Sequence, residues 1–319
     1  MATVTVAIPV RNGGALFAEV LAAVAAQRID REVELMVADS GSDDGSRELA
    51  ERHGARVVDV APAEFSHGGT RNLLVERSSG EHVAFLTQDA IPASDRWLAR
   101  LVEAFELGPE IALAYGPYVP RPDASPMVAR ELTEFFAGLS PDGRPRVDRG
   151  LRPEDRRPGP VTFFTDANGC VARRAWERVP FRAVAYAEDQ LLATDMLAAG
   201  FAKAYVPDAG VIHSHDYPPL ERLGRFFDEF RALREVYGHV EEVGVRHTLG
   251  TIRRSVARDR AFAAARGQGG VALRSVGFHA LRAAGAALGT RADRLPPAAR
   301  RRLSRDRRAD FAPVPPARL

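Results

Sequence analysis

The 319-residue chain contains one cysteine, Cys170, and one lysine, Lys203. A lone cysteine makes no internal disulfide and excludes a cysteine-based zinc site. No apolar run reaches the roughly 20 uninterrupted residues that a membrane-spanning helix needs. The longest, over 15–26, is interrupted by Glu19 and ends at Gln27. The chain starts with neither a basic stretch nor the apolar core of a signal peptide, so a cytoplasmic location is the expectation. No G-x-G-x-x-G fingerprint follows the first strand-like run and no Walker A sequence occurs, which argues against dinucleotide binding or nucleotide hydrolysis by those devices.

A hydrophobic fraction of 45% and a charged fraction of 27% are ordinary for a globular protein and exclude disorder of the whole chain. The formal net charge of +2 hides an asymmetry. Residues 251–319 carry 16 arginines against 4 aspartates, whereas the remainder carries 28 basic against 38 acidic groups. An acidic body with a basic end suggests an anionic surface as partner for that end. The acidic body, the absence of aromatic residues between Phe278 and Phe311 and the lack of a reading motif speak against nucleic acid.

The first 90 residues alternate strand and helix signals. Residues 3–10 (TVTVAIPV), 32–38 (EVELMVA), 57–60 and 81–87 (EHVAFLT) read as strands, and 15–27, 46–53 and 70–79 as helices. Pro9 is expected to take the first strand out of regular pairing. This β-α-β series predicts an α/β fold with an open, mostly parallel sheet, whose ligands bind at the carboxyl ends of the strands. The polar clusters sit at those ends: Pro9 to Asn12, Asp39 to Asp44, and Gln88-Asp89. Residues 120–160, rich in Pro, Arg and Gly around a helix-like island at 125–138, read as a mobile loop over the site. Helices are expected at 188–199, 219–237 and 270–288 with a strand at 202–206, and a disordered Arg/Pro-rich tail from Pro296.

Five groups can carry chemistry, and each also has an ordinary structural reading. Asp39 suits the imide N–H of a uracil or thymine base, or caps a turn. Asp89 suits a divalent metal shared with diphosphate oxygens, or a turn before Pro92. Glu188-Asp189 suits a general base, or favours the dipole of its helix. His213 and His215, two apart on an extended segment, point to one side as metal ligands, or are satisfied structural histidines. In FSHGGTRN (65–72) the glycines admit a close backbone approach to a ligand and Arg71 reaches a phosphate or base, or the segment is a plain turn.

Taken in order, VAIPVRNGG, ELMVADSGSDDGS, FSHGGTRN, VAFLTQDA and YAEDQLLATDMLAAGF resemble the GT-A, family 2 inverting glycosyltransferases over roughly 3–216. FSHGGTRN with TQDA is similar to the rhamnosyltransferase branch, which uses dTDP-rhamnose. The resemblance implies a GT-A (Rossmann-like) domain over 1–218, a C-terminal helical region over 219–295 and the tail over 296–319. It implies a nucleotide-sugar pocket formed by Pro9, Arg11, Asp39, Gly41, Arg71, Gln88 and Asp166. Asp89 with His213 or His215 would hold Mg²⁺ or Mn²⁺, and Asp189, beside Glu188, would be the catalytic base. Thr87 stands where the first Asp of a full DXD motif would be, leaving Asp89 as its only acid.

The implied reaction moves rhamnose onto a hydroxyl of a saccharide or lipid-linked saccharide acceptor, in surface polysaccharide or glycolipid assembly. A UDP-hexose donor is the alternative within the family, and a non-catalytic nucleotide- or nucleic-acid-binding protein is the alternative outside it. Phe226, Phe227 and Phe230 with Arg222 and Arg225, and Val271, Leu273, Val276, Leu281 and Leu288 with Arg274 and Arg282, read as basic amphipathic helices. Such helices suit peripheral attachment to the inner face of an anionic membrane, or they pack on the body and leave a solvated arginine face.

Overall fold

The computed structural model describes residues 3–307. The chain runs β1 (Thr3–Val10), α1 (Gly14–Ala25), β2 (Glu32–Asp39), α2 (Ser46–Arg52), β3 (Arg56–Asp59), α3 (His67–Arg77) and β4 (His82–Leu86). It continues with β5 (Ile91–Pro92), α4 (Trp97–Glu103), β6 (Ile111–Tyr115), β7 (Tyr118–Val119), α5 (Pro126–Leu139), β8 (Arg146–Arg149), β9 (Asn168–Ala172) and α6 (Arg173–Trp176). Then come α7 (Glu188–Ala198), β10 (Ala202–Tyr205), β11 (Val211–Ile212), α8 (Pro219–Tyr237), α9 (Val245–Ala264), α10 (Ala272–Gly289) and α11 (Pro297–Leu303).

Eight strands form the main sheet in the order β3-β2-β1-β4-β9-β6-β10-β8. The pairs β1–β2, β2–β3, β1–β4 and β6–β10 are parallel; β9 and β8 run antiparallel to their neighbours. β1 is almost wholly buried because both sheet faces are covered. Val4, Val6, Ile8 and Val10 face one core, with Phe17 and Leu21 of α1 and Trp97 and Leu101 of α4. Ala7 faces the other, with Leu74 of α3, Phe85 and Phe181. Pro9 does not leave the sheet: it stays in register opposite Ala38. The ladder to β4 has already ended at Ala7, so the missing proline N–H is tolerated there.

The 120–160 segment is not one mobile loop. Ser125 caps α5 through its hydroxyl, and β8 forms the sheet edge. Lys203 of β10, fully buried, holds that edge: its Nζ lies 2.6 Å from Asp148 of β8 and donates to the Pro160 carbonyl at 3.1 Å. The α3 helix begins earlier than its spacing suggests, capped by Ser66, so both glycines lie in its first turn. Gly68 is required by packing: a Cβ there would stand 2.4 Å from the Arg182 carbonyl oxygen.

The C-terminal helices stack beside this body. α8 and α10 meet closely, and a Cβ at Gly289 would come within 2.4 Å of the Phe227 carbonyl oxygen. Phe227 and Phe230 are buried, and Phe226 meets Phe278 edge-on at 6.0 Å. The aromatic face expected to meet a membrane is therefore largely an internal packing face. α9 was not legible as a helix of the body. Its buried contact is polar: Asp259 takes hydrogen bonds from Arg130 of α5 and Ser275 of α10 and lies 2.7 Å from Nε2 of His279. The tail expected to be disordered from Pro296 forms α11, and Ser304 bonds Asp228 at 3.1 Å. The rest of that expected tail, 308–319, lies outside the described residues.

Candidate active site

Three loops at the carboxyl ends of β1, β2 and β4 form one hydrogen-bonded rim. The Arg11 N–H donates to the Gln88 carboxamide oxygen at 2.8 Å. Asn12, held at a positive φ of 50°, donates its N–H to the Ser42 hydroxyl at 3.0 Å and accepts the Asp43 N–H at 2.9 Å. Gly13 and Gly14 donate to Ser46 and Asp44. Asp39, nearly buried at the end of β2, accepts from the Ser42 N–H at 3.2 Å and from its hydroxyl; Gly41 supplies the left-handed turn between them. Pro9 sits half-buried and Arg11 exposed at the edge of this rim, and Gln88 orients the Arg11 backbone.

A second, three-stranded sheet, β5-β11-β7, assembles a different group. Asp89 precedes β5, and His213 and His215 follow β11; the antiparallel pairing of Ile91 with Ile212 brings them together. Asp89 Oδ1 lies 3.5 Å from His213 Nδ1, and Oδ2 lies 3.3 Å from His215 Nε2. One potential ligand atom from each falls within 4.8 Å of the others. Burial pushes His213 down to about 4 against the pull of Asp89, and it lowers His215 as well. Neutral imidazoles beside a carboxylate are a donor set that fits a divalent cation. Arg121, which its sequence did not single out, donates to the Asp89 carbonyl oxygen. Only the two-residue strand β7 carries it there, too short to leave a pattern.

The third group is a cluster of carboxylates around one guanidinium. Arg71 of α3 is 2% exposed; its Nε lies 2.7 Å from Asp166 and its Nη1 3.4 Å from Glu188. Nη1 also donates to the His67 carbonyl at 3.1 Å. Three of the expected site residues thus meet in one place. Arg71 is buried, with Nε and Nη1 turned to the two carboxylates and the His67 carbonyl, and Asp166 and Glu188 are its buried partners. Burial raises Asp166 to about 7 despite Arg71, with the nearby Glu188 adding to the rise, and the Glu188 carboxyl is also raised, by burial and Asp189.

Asp189, partly exposed, stands at the mouth of this cluster. Burial and the nearby Asp166 push it up to about 7, although the Gln190 N–H bonds its Oδ1 at 2.7 Å. A carboxylate with that proton affinity takes up a proton readily near neutral pH. Ala187, just before the pair, adopts a left-handed backbone at φ 61°. That strained turn starts α7 so that Glu188 points inward while Asp189 stays open. Tyr118 of β7, another residue missed in the sequence, bonds Thr165 and feels both Asp189 and Asp166. Asn168, fully buried, fixes the floor: it accepts from Trp97 Nε1 at 2.7 Å and donates to the carbonyls of Pro117 and Ala209.

Known proteins align with this arrangement. The profile of Glycosyl transferase family 2 matches residues 5–176. The chain is 32% identical over 230 residues, 70% of each chain, to the O-antigen chain rhamnosyltransferase RfbN of Salmonella typhimurium. It is 30% identical over 201 residues, 61% of each chain, to the O-antigen chain rhamnosyltransferase WbaN of Salmonella anatum. Among solved structures, the mannosyltransferase PcManGT from Pyrobaculum calidifontis, in complex with GDP-Man and Mn²⁺, superimposes with a TM-score of 0.57 at 19% identity. That superposition covers 90% of this chain and 86% of the other, and it bears on the fold alone.

Proposed function

The chain belongs to glycosyl transferase family 2 and is a glycosyltransferase of GT-A fold, and on that premise we propose that it transfers rhamnose from dTDP-rhamnose, with inversion, onto a saccharide hydroxyl. The carrying observation is that Asp189 is partly exposed with a raised proton affinity at the mouth of the carboxylate cluster, while Asp89, His213 and His215 converge as a cation site. One open base, with the neighbouring Asp166 and Glu188 engaged by Arg71, suits a single displacement. Asp189 takes the proton of the acceptor hydroxyl as its oxygen bonds the anomeric carbon. The bond from that carbon to the diphosphate oxygen breaks, and the nucleotide leaves with the electron pair.

Asp89, His213 and His215 would hold Mg²⁺ or Mn²⁺. Bound there, a divalent cation neutralises charge growing on the leaving diphosphate. Two imidazoles in the donor set favour Mn²⁺ over the harder Mg²⁺. The rim receives the nucleotide, with Asp39 facing the base, Gly41 clearing the turn, and Pro9, Arg11 and Gln88 at the edge. The rhamnose and dTDP assignments rest on the likeness to the two rhamnosyltransferases and on FSHGGTRN with TQDA; a UDP-hexose is the competing donor.

A thermal-shift panel of dTDP, UDP, GDP, ADP and dTDP-rhamnose, with and without Mn²⁺, tests this. A ligand at 100 times its Kd adds about 2.7 kcal/mol. The expected result is a Mn²⁺-dependent shift with the dTDP ligands that Asp89→Ala abolishes. A larger shift with UDP replaces the donor. No shift with any nucleotide sinks the reading.

Among the described residues no helix is long and apolar enough to cross a membrane. Peripheral attachment at the inner face of the plasma membrane is part of the proposal, relocated from the packed aromatic face to the amino ends of α8 and α10. Leu220 and Leu273 are 83% and 84% exposed there, and Arg274 lies nearby. Anionic phosphatidylglycerol vesicles are expected to sediment the wild-type chain and release a Leu220→Ser/Leu273→Ser variant. Equal recovery of wild type in the supernatant with and without vesicles refutes attachment.

A further inference from the structure

A cavity of about 1270 Å³ lies among α5, α8, α9 and α10, and it opens beside Tyr118 and Gln190, the residue that follows Asp189. It exceeds the roughly 300–1,000 Å³ of an ordinary small-molecule site. Its walls combine aromatic rings, carboxylates and hydroxyls with three arginines, Arg130, Arg258 and Arg282, that are already paired with Glu134 or Glu131. Phe135, Phe163 and Phe226 offer partly exposed rings, with Phe135 and Phe163 4.7 Å apart edge to face. Glu229 and the hydroxyls of Thr248, Thr251 and Ser255 line it as well. Glu229 is half-buried on α8 and has no ion-pair or hydrogen-bond partner among the described residues.

These walls discriminate among ligands. A lipid tail would leave Glu229 and the hydroxyls of Thr248 and Ser255 without partners. An anionic chain would meet the unpaired Glu229 carboxylate, while the arginines of the wall are already engaged by Glu131 and Glu134. A neutral, polyhydroxylated chain satisfies both the rings and the polar groups: the C–H faces of its rings pack on the phenylalanines, and its hydroxyls donate to the carboxylates. We propose that this cavity holds the neutral saccharide chain of the acceptor, several units behind the hydroxyl that attacks. The proposal rests on the glycosyltransferase reading and deepens it. It assigns acceptor recognition to the C-terminal helices, and it makes the enzyme a reader of a growing chain rather than of a terminal sugar alone.

The test uses the full-length protein with dTDP and Mn²⁺. Its probes are methyl glycosides of mannose, galactose and rhamnose as mono-, di- and tetrasaccharides, and the same monosaccharides on a dodecyl chain. Titration calorimetry is expected to show at least tenfold tighter binding of one tetrasaccharide series than of its monosaccharide. Phe135→Ala and Glu229→Gln are each expected to remove most of that gain and to keep the thermal shift with dTDP. Affinity that does not grow with length overturns the proposal, as does a gain confined to dodecyl glycosides or one that survives both substitutions. No binding of any saccharide by protein that dTDP stabilises also overturns it, while the absence of the dTDP shift itself indicts the donor reading instead.

Discussion

Replacing Asp189 by Asn is expected to lower the rate of transfer by ~10²–10⁴-fold, the usual worth of a positioned general base. The carboxamide keeps the size of the side chain and can still accept the Gln190 N–H that bonds Oδ1 at 2.7 Å. What it loses is proton affinity. Nucleotide-induced thermal shifts should therefore match wild type. The pH profile supplies an independent check. Burial and Asp166 hold Asp189 at about 7, so the base is protonated and idle below that value. Wild-type kcat/KM should rise as the pH climbs through about 7 and then level off. The residual activity of the Asn variant should lack that rise. A variant with near wild-type rate, or a wild-type profile flat from pH 5.5 to 8.5, removes Asp189 from the role.

The second large effect is on stability. Arg71→Met is expected to cost about 3–5 kcal/mol, because it leaves Asp166 and Glu188 buried without their cation. The sign of the pH dependence follows from their proton affinities. Both carboxyls are raised above their unfolded values, Asp166 to about 7. The folded chain thus favours their protonated forms, and the cost of ionising them in place grows as pH rises from the unfolded value toward the folded one. Without Arg71 that cost should increase further. Urea denaturation should show a smaller loss at pH 5 than at pH 8. A loss below 1 kcal/mol at both pH values would mean that the guanidinium is not what holds the cluster.

The first half of the fold was legible because its chemistry is local. Each of β1, β2 and β4 is a short apolar run ending in polar residues, and the sheet places those ends on one edge. Asp39 and Asp89 stand out for the same reason, whereas Asp189 stands out as half of an acidic pair opening a helix and the two histidines by their spacing of two. The remainder depends on contacts distant in sequence. β5, β7 and β11 are two residues long, so neither the trio's geometry nor Arg121 has a pattern to read. β8 pairs only through β10, with Lys203 and Asp148 as its anchor. Helix α9 hides because it buries only Asp259 and Ala263, a carboxylate and a small side chain where periodicity looks for an apolar stripe. The neighbours of Arg71 have no local signal either: an arginine one turn into a helix looks solvent-facing until Asp166 and Glu188 close over it.

The anchor of the β8 edge has a further consequence. Lys203 is the chain's only lysine, and it lies fully buried against Asp148. Every other cationic side chain that is permanently charged is an arginine. Acetylation, methylation or ubiquitin conjugation on a lysine side chain therefore finds no accessible ε-amine while the fold is intact. Control of this enzyme by lysine modification would require β8 to peel from β10 first. Acylation of Lys203 by an amine-reactive reagent accordingly marks molecules in which that edge has opened.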